Sequence, residues 1–248
     1  KIFLLLFYIL FIFNSNLLSD ENNKILKVGL LAPLSGPYSE IGNSLLHSLQ
    51  LALEEINDKN VIIVPKDSGF NSEEKIETAI NELRLMGVKV IIGPTTYEEF
   101  NQAKKYNDLI FISPSNISPT ISKNIISIGI SLESQLISLF EFIKKQKRTK
   151  TIIMYPENEY VKIIEKMFKS TEEEVLFTTI NQWFDESIFY ENSIKNLYYP
   201  SVNYKEYRKY NIKYFERFKM YPNEITILAY DALGLIYFAW KKNNEINS

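Results

Sequence analysis

The stretch Lys27-Val-Gly-Leu-Leu-Ala-Pro-Leu-Ser-Gly-Pro-Tyr-Ser-Glu-Ile-Gly42 most constrains what this chain can fold into. Val28 to Ala32 carries almost no polar residue, as a strand covered on both faces does. Pro33, Ser35, Gly36, Pro37 and Gly42 follow, a dense set of turn formers. From Asn43 to Asn57, Leu45, Leu46, Leu49, Ala52, Leu53 and Ile56 recur at helical spacing. A buried strand, a glycine-rich loop and an amphipathic helix therefore stand in sequence.

The same phrase recurs. Val61 to Val64 reads as a strand closed by Pro65-Lys-Asp-Ser-Gly69. Asn71 and Glu74 have capping-box spacing and open a helix with Ile76, Ala79, Ile80 and Leu83 on one face, stopped at Gly87. Val88 to Ile92 is a third strand, ending in Gly93-Pro-Thr-Thr-Tyr97, and Glu98 to Tyr106 is a helix. Leu109 to Ile112 and Ile125 to Ile128 are short strands, and Leu132 to Lys145 is a helix. Thr151 to Tyr155 is a strand, with a loop through Tyr160 and a helix to about Lys169. Repeated β-loop-α alternation predicts an α/β fold, a parallel sheet with helices on both faces and right-handed crossovers. Past Ser170 the rhythm fails. Val175 to Thr179 is one further strand in a region crowded with tyrosine. Tyr204 to Lys219 reads as a helix. A last helix starts at Pro222-Asn223-Glu224, with Ile225, Leu228, Ala229, Ala232, Leu233, Ile236 and Ala239 as its apolar stripe.

Composition excludes several classes. A net charge of -2 over 248 residues gives no basic field for nucleic acid. With no cysteine and a single histidine, His47, neither a disulfide framework nor a zinc site is expected. His47 sits between Leu46 and Leu49 and reads as structural. No Walker loop, dinucleotide fingerprint or nucleophile elbow occurs, so no cofactor and no enzymatic activity are expected. Lys1 followed by twelve apolar residues and a polar exit near Asp20 describes a secretory signal peptide over residues 1–20. The run is short of the ~20 residues of a membrane span. Periplasmic export is therefore expected.

These segments resemble the type 1 periplasmic binding proteins, in particular the leucine-binding-protein-like group. Leu34-Ser-Gly-Pro37 with Gly42, Val90-Ile-Ile-Gly-Pro94, Ile112-Ser-Pro114, Ile152 to Tyr160 and Ala229-Tyr-Asp-Ala232 carry the likeness, in order, across most of residues 25–240. Pro65-Lys-Asp-Ser-Gly69, Ile92-Gly-Pro94 and Asn181-Gln-Trp-Phe-Asp185 are also similar to the penicillin-binding protein activator branch of that superfamily. The resemblance implies a first α/β lobe over 25–145, a shortened second lobe over 150–203, and C-terminal helices over 204–242 packing across the lobes. It implies a small ligand, an amino acid or similar, held in an interlobe cleft. A membrane permease is the expected partner, with a cell-wall synthase as the alternative. Carried over position by position, the implied ligand contacts are Ser35, Thr96 and Tyr97, Ser115, Asn116 and Ile117, and Tyr160. Hydroxyls and backbone N–H groups at strand ends and helix N-termini suit a carboxylate. Helix capping is an equal reading of Thr95 and Thr96. Amides stand at Asn181 and Gln182 where the family pattern has an acidic partner for an amine. The tyrosines and Trp183 are read as small-lobe packing, and the basic cluster Lys144, Lys145, Lys147, Arg148 and Lys150 as a solvated helix end.

Overall fold

The computed structural model describes residues 24–69, 72–115, 122–146, 150–153, 175–180, 197–200 and 204–243. The proposed signal segment, the Asn71 cap, the 160 loop and Trp183 lie outside the described residues. Strands β1 (Leu26–Ala32), β2 (Val61–Asp67), β3 (Val90–Ile92), β4 (Ile110–Ser113) and β5 (Ile125–Ser127) form one sheet in the order β2-β1-β3-β4-β5. Every neighbouring pair in it is parallel. Helices α1 (Ser39–Ile56), α2 (Glu73–Leu85) and α3 (Tyr97–Ala103) connect its first four strands. Helix α4 (Leu132–Gln146) leads to a second parallel sheet of β6 (Lys150–Ile153), β7 (Val175–Thr178) and β8 (Leu197–Tyr198). Among the described residues this second sheet has three strands against five in the first. Helices α5 (Tyr204–Phe218) and α6 (Ile227–Asn243) close the described chain, with a short 3-10 turn at Glu224–Thr226 between them.

Strand β1 is buried on both sides, as its unbroken apolar run requires. Val28, Leu30 and Ala32 point into a core with Leu45, Leu49 and Ala52 of α1 and with Ala229, Ala232, Leu233, Ile236 and Trp240 of α6. Leu31 points the other way, into a core with Ile76, Ile80 and Leu83 of α2, Phe100 of α3 and Phe111 of β4. Gly29 shares that second face. A Cβ there would stand 3.2 Å from the Leu83 methyls, so glycine lets α2 lie close on the sheet.

Several boundaries differ from the sequence expectation, each for a visible reason. Helix α1 starts at Ser39, so Gly42 is helical and not part of the loop. Strand β2 runs on through Pro65 to Asp67. It is an edge strand, where a missing N–H is tolerated. Ser72, not Asn71, caps α2, accepting from the Lys75 N–H. In α6 the buried stripe ends at Trp240, while Ala239 faces solvent. Tyr207, Tyr210 and Tyr214 of α5 are packing residues, set against α1 of the first sheet and not within a small second lobe. Tyr210 and Tyr214 are buried against Leu51. Their hydroxyls meet Ser48 at 2.5 Å, Ser44 at 3.1 Å and Thr226 at 3.1 Å. His47 joins the same cluster, with Nδ1 3.2 Å from the Tyr214 hydroxyl and its ring stacked on Phe218. Burial lowers its pKa.

Candidate functional site

Helices α1 and α3 leave the adjacent strands β1 and β3 toward opposite faces of the sheet, since α1 packs in one core and α3 in the other. A strand order of this kind opens a crevice at the carboxyl ends of β1 and β3, where ligands of doubly wound folds bind. The loops after β1, β3 and β4 all stand at that edge, because the strands are parallel and in register. They carry Ser35, Thr96, Tyr97 and Ser115. Asn116, Ile117 and Tyr160 lie outside the described residues.

The loop after β1 is held by Asp67 at the end of β2. Asp67 Oδ1 accepts from the Leu34 N–H at 2.8 Å, the Ser35 N–H at 3.2 Å and the Gly69 N–H at 2.9 Å. Its Oδ2 accepts from the Ser35 hydroxyl at 2.6 Å and pairs with Lys75 Nζ at 3.0 Å. Burial opposes ionisation of Asp67. The Ser35 hydroxyl, the Gly69 N–H, Lys75 and the Leu34 N–H together outweigh it and hold the carboxyl far below the usual range. Lys75 Nζ also donates to Ser35 Oγ at 3.3 Å. The Ser35 hydroxyl is therefore engaged as a loop anchor.

The loop after β3 is held by Glu99. Thr96 caps α3, accepting from the Glu99 N–H at 3.3 Å, and the Glu99 side chain returns to the Thr96 N–H at 3.1 Å. Glu99 Oε2 also takes the Thr95 hydroxyl at 2.9 Å and the Thr95 N–H. This carboxyl is 1% exposed. Desolvation pushes its pKa up, against the opposing pull of Ser68 and the Thr95 and Thr96 donors. Among the described residues, neither its second oxygen, Oε1, nor the buried Ser68 hydroxyl has a hydrogen bond of full geometry, although Ser68 stands close enough to favour the ionised carboxyl. The chemical consequence is direct. The Thr95 and Thr96 N–H groups that a ligand carboxylate would use at this helix end are occupied by the protein's own carboxyl. Tyr97, the first residue of α3, is 63% exposed at the end of this loop. Ser113 Oγ donates to the Pro94 carbonyl at 2.7 Å and accepts from the Ser115 N–H at 3.2 Å, tying the β3 and β4 loops together. Ser115 is buried.

The structure thus brings Ser35, Thr96, Tyr97 and Ser115 to one sheet edge and adds three residues the sequence reading missed: Asp67, Glu99 and Ser113. The Thr96-x-x-Glu99 spacing is itself a capping-box signal. Asp67 and Ser113 have no local signature, because their partners lie across the sheet. Among the described residues, no group of three His, Asp or Glu side chains could hold a metal ion. No described helix is long and apolar enough to cross a membrane.

A five-stranded parallel sheet with a loop-lined crevice between β1 and β3 defines a doubly wound binding lobe. The chain matches the family model described as periplasmic binding protein over residues 25–174, and it belongs to that family, with the type 1 fold. It is 26% identical over 105 residues to the Leu/Ile/Val-binding protein BraC3 of Rhizobium johnstonii. That alignment covers 39% of this chain and 28% of the relative, so the chain matches under a third of that protein's length. The fold is similar to the branched-chain amino acid transporter substrate binding protein LivJ from Streptococcus pneumoniae, solved with isoleucine. There the TM-score is 0.64 at 16% identity, covering 90% of this chain and 85% of the other. It is also similar to an ABC transporter solute binding protein from Rhodopseudomonas palustris, solved with 3,4-dihydroxybenzoic acid. That match has a TM-score of 0.67 at 14% identity and covers 88% and 81% of the two chains.

Proposed function

We propose that this protein is an exported, non-enzymatic solute receptor, the substrate-binding component of an ABC-type amino-acid transport system. Capture takes place at the β1/β3 crevice, and hinge closure of a second lobe presents the loaded form to a membrane permease. One observation carries the reading. Three loops at the carboxyl edge of the first sheet are cross-braced from within, by Asp67, Glu99 and Ser113, and so are pre-organised without a ligand. Family membership and the names of the relatives support the ligand class. Tyr97 and Ser115, together with Thr96, Ser35, Asn116, Ile117 and Tyr160, are the proposed contacts. Since Glu99 occupies the Thr95 and Thr96 N–H groups, a ligand carboxylate is taken by the other loop donors.

Thermal unfolding and calorimetry against individual amino acids test this. A ligand at 100 times its Kd adds about 2.7 kcal/mol. For a chain of this size that raises Tm by roughly 5–10 °C. Such a rise with one class of amino acid, lost in Tyr97→Ala, supports a receptor. If no amino acid shifts Tm while the protein retains a cell-wall synthase in a pulldown, the receptor reading falls and the alternative, a penicillin-binding protein activator-like regulator, replaces it.

A further inference from the structure

The last described helix is apolar on a side that the other described residues leave uncovered. Helix α6 buries Ala229, Ala232, Leu233, Ile236 and Trp240. Asp231, Gly234, Leu235, Phe238, Ala239 and Lys242 are all exposed on it. Leu235 is 57% and Phe238 68% exposed. These positions follow one another at three- and four-residue steps and form a single stripe. A helix apolar on both sides is the pattern of one covered on both sides. Gly234 adds a second observation. Among the described residues, no heavy atom lies within 4 Å of where its Cβ would stand, so nothing described in the fold requires glycine there. Glycine weakens a helix interior, and what it offers in return is close approach by another backbone.

The order of the stripe names the occupant. Laid antiparallel against a second copy, about a two-fold axis passing between Ile236 and Tyr237, Leu235 meets Phe238, Gly234 meets Ala239, and Asp231 meets Lys242. Each contact occurs twice, as an isologous interface requires. The antiparallel arrangement also opposes the two helix dipoles favourably. The neighbouring cation Lys241 is turned to Asp58 at 2.8 Å. An acid at one end and a base at the other, in mirror order around an apolar centre, match this same helix reversed. We propose that α6 is a homodimer interface, in which two copies pair through antiparallel α6 helices. The stripe is narrow, so the dimer is weak and concentration-dependent. It forms on the side of α6 away from the sheet, and leaves the crevice at β1 and β3 uncovered.

Sedimentation of the purified protein from about 5 to about 300 µM, a range set by weak-association energetics, should show a monomer–dimer equilibrium. Phe238→Asp and, separately, Phe238→Ser should leave a monomer with an unchanged circular dichroism spectrum. Asp231→Lys and Lys242→Asp should each weaken the dimer about fivefold, the scale of an interfacial ion pair. The two together should restore it, because the swapped charges again face each other. A protein that is monomeric across the range overturns the proposal, whether or not it then floats with anionic phosphatidylglycerol vesicles. So does a dimer that survives Phe238→Asp, or a double charge swap no tighter than the single ones.

Discussion

At the scale of the residue, two carboxyls a short way apart in function are set to opposite states. Asp67 is partly buried and ringed by donors, so it stays ionised well into acid. Glu99 is sealed, and desolvation outweighs its donors, so its neutral form is favoured. The sign for Glu99 follows from linkage. Its folded pKa lies above its unfolded value, so the folded state holds a proton the unfolded state has released. Stability therefore falls as pH rises above about 4.3, the unfolded value, and levels off beyond the folded pKa. Glu99→Gln keeps an oxygen for the Thr95 and Thr96 donors and turns an amide N–H toward Ser68. Urea unfolding from pH 5 to 8 should show this variant losing less stability with rising pH than the parent. Glu99→Ala leaves those donors without a partner and should cost about 3 kcal/mol at pH 5, from lost hydrogen bonds and a lost cap, and less as pH rises and the parent itself loses stability. If Glu99→Gln behaves like Glu99→Ala, the carboxyl is held ionised and the desolvation argument is wrong.

At the scale of the element, the first helix shows how a loop and a helix share one position. Gly42 lies in the first turns of α1, and a Cβ on it would stand 2.1 Å from the Pro33 carbonyl oxygen. In an exposed helix, Gly→Ala gains up to ~1 kcal/mol. Here the added methyl meets backbone and must displace the loop that carries Ser35. Gly42→Ala should therefore destabilise by about 3 kcal/mol, with Tm lower by roughly 6–12 °C. It should also weaken ligand binding more than a substitution on the exposed side of α1. An alanine variant with unchanged Tm would show the loop to be free to move. The sequence reading placed Gly42 in the loop because it closes the run of turn formers Pro33, Ser35, Gly36 and Pro37. Only the contact with Pro33 shows why glycine stands there. The faces of α1, α2 and β1 were legible, since burial imposes a period on the side chains themselves. The extension of β2 through Pro65 was hidden, because edge position is a property of the sheet. Strand β8 escaped notice because a two-residue pairing has no period. The braces at Asp67 and Ser113 escaped it as well, since their partners lie 32 and 19 residues away.

At the scale of the whole molecule, the chain returns to its beginning. Helices α5 and α6 pack on α1, and α6 completes the core over β1, so the first sheet is finished by the last described helix. Two kinds of contact hold that return. Lys213 pairs with Glu55 at 2.6 Å and Arg217 with Glu54 at 2.9 Å, all four side chains more than a third exposed. Beneath them Leu233 is fully buried, and Tyr210 and Tyr214 fill the gap beside Leu51. Magnitudes decide between the two. An exposed ion pair contributes ~0–1 kcal/mol and weakens in salt, while truncating a buried leucine costs about 2–5 kcal/mol. Leu233→Ala should therefore lower stability by about 3 kcal/mol in urea unfolding, and Lys213→Ala and Arg217→Ala by less than about 1 kcal/mol each. Half-molar sodium chloride should move the parent midpoint little. Because α6 covers β1, and β1 feeds the Ser35 loop, Leu233→Ala should also loosen the loop braced by Asp67. Hydrogen exchange at the Leu34 and Ser35 amides should rise in that variant and stay unchanged in Lys213→Ala. Equal exchange in both would mean that the closing helices support the sheet without being coupled to the crevice.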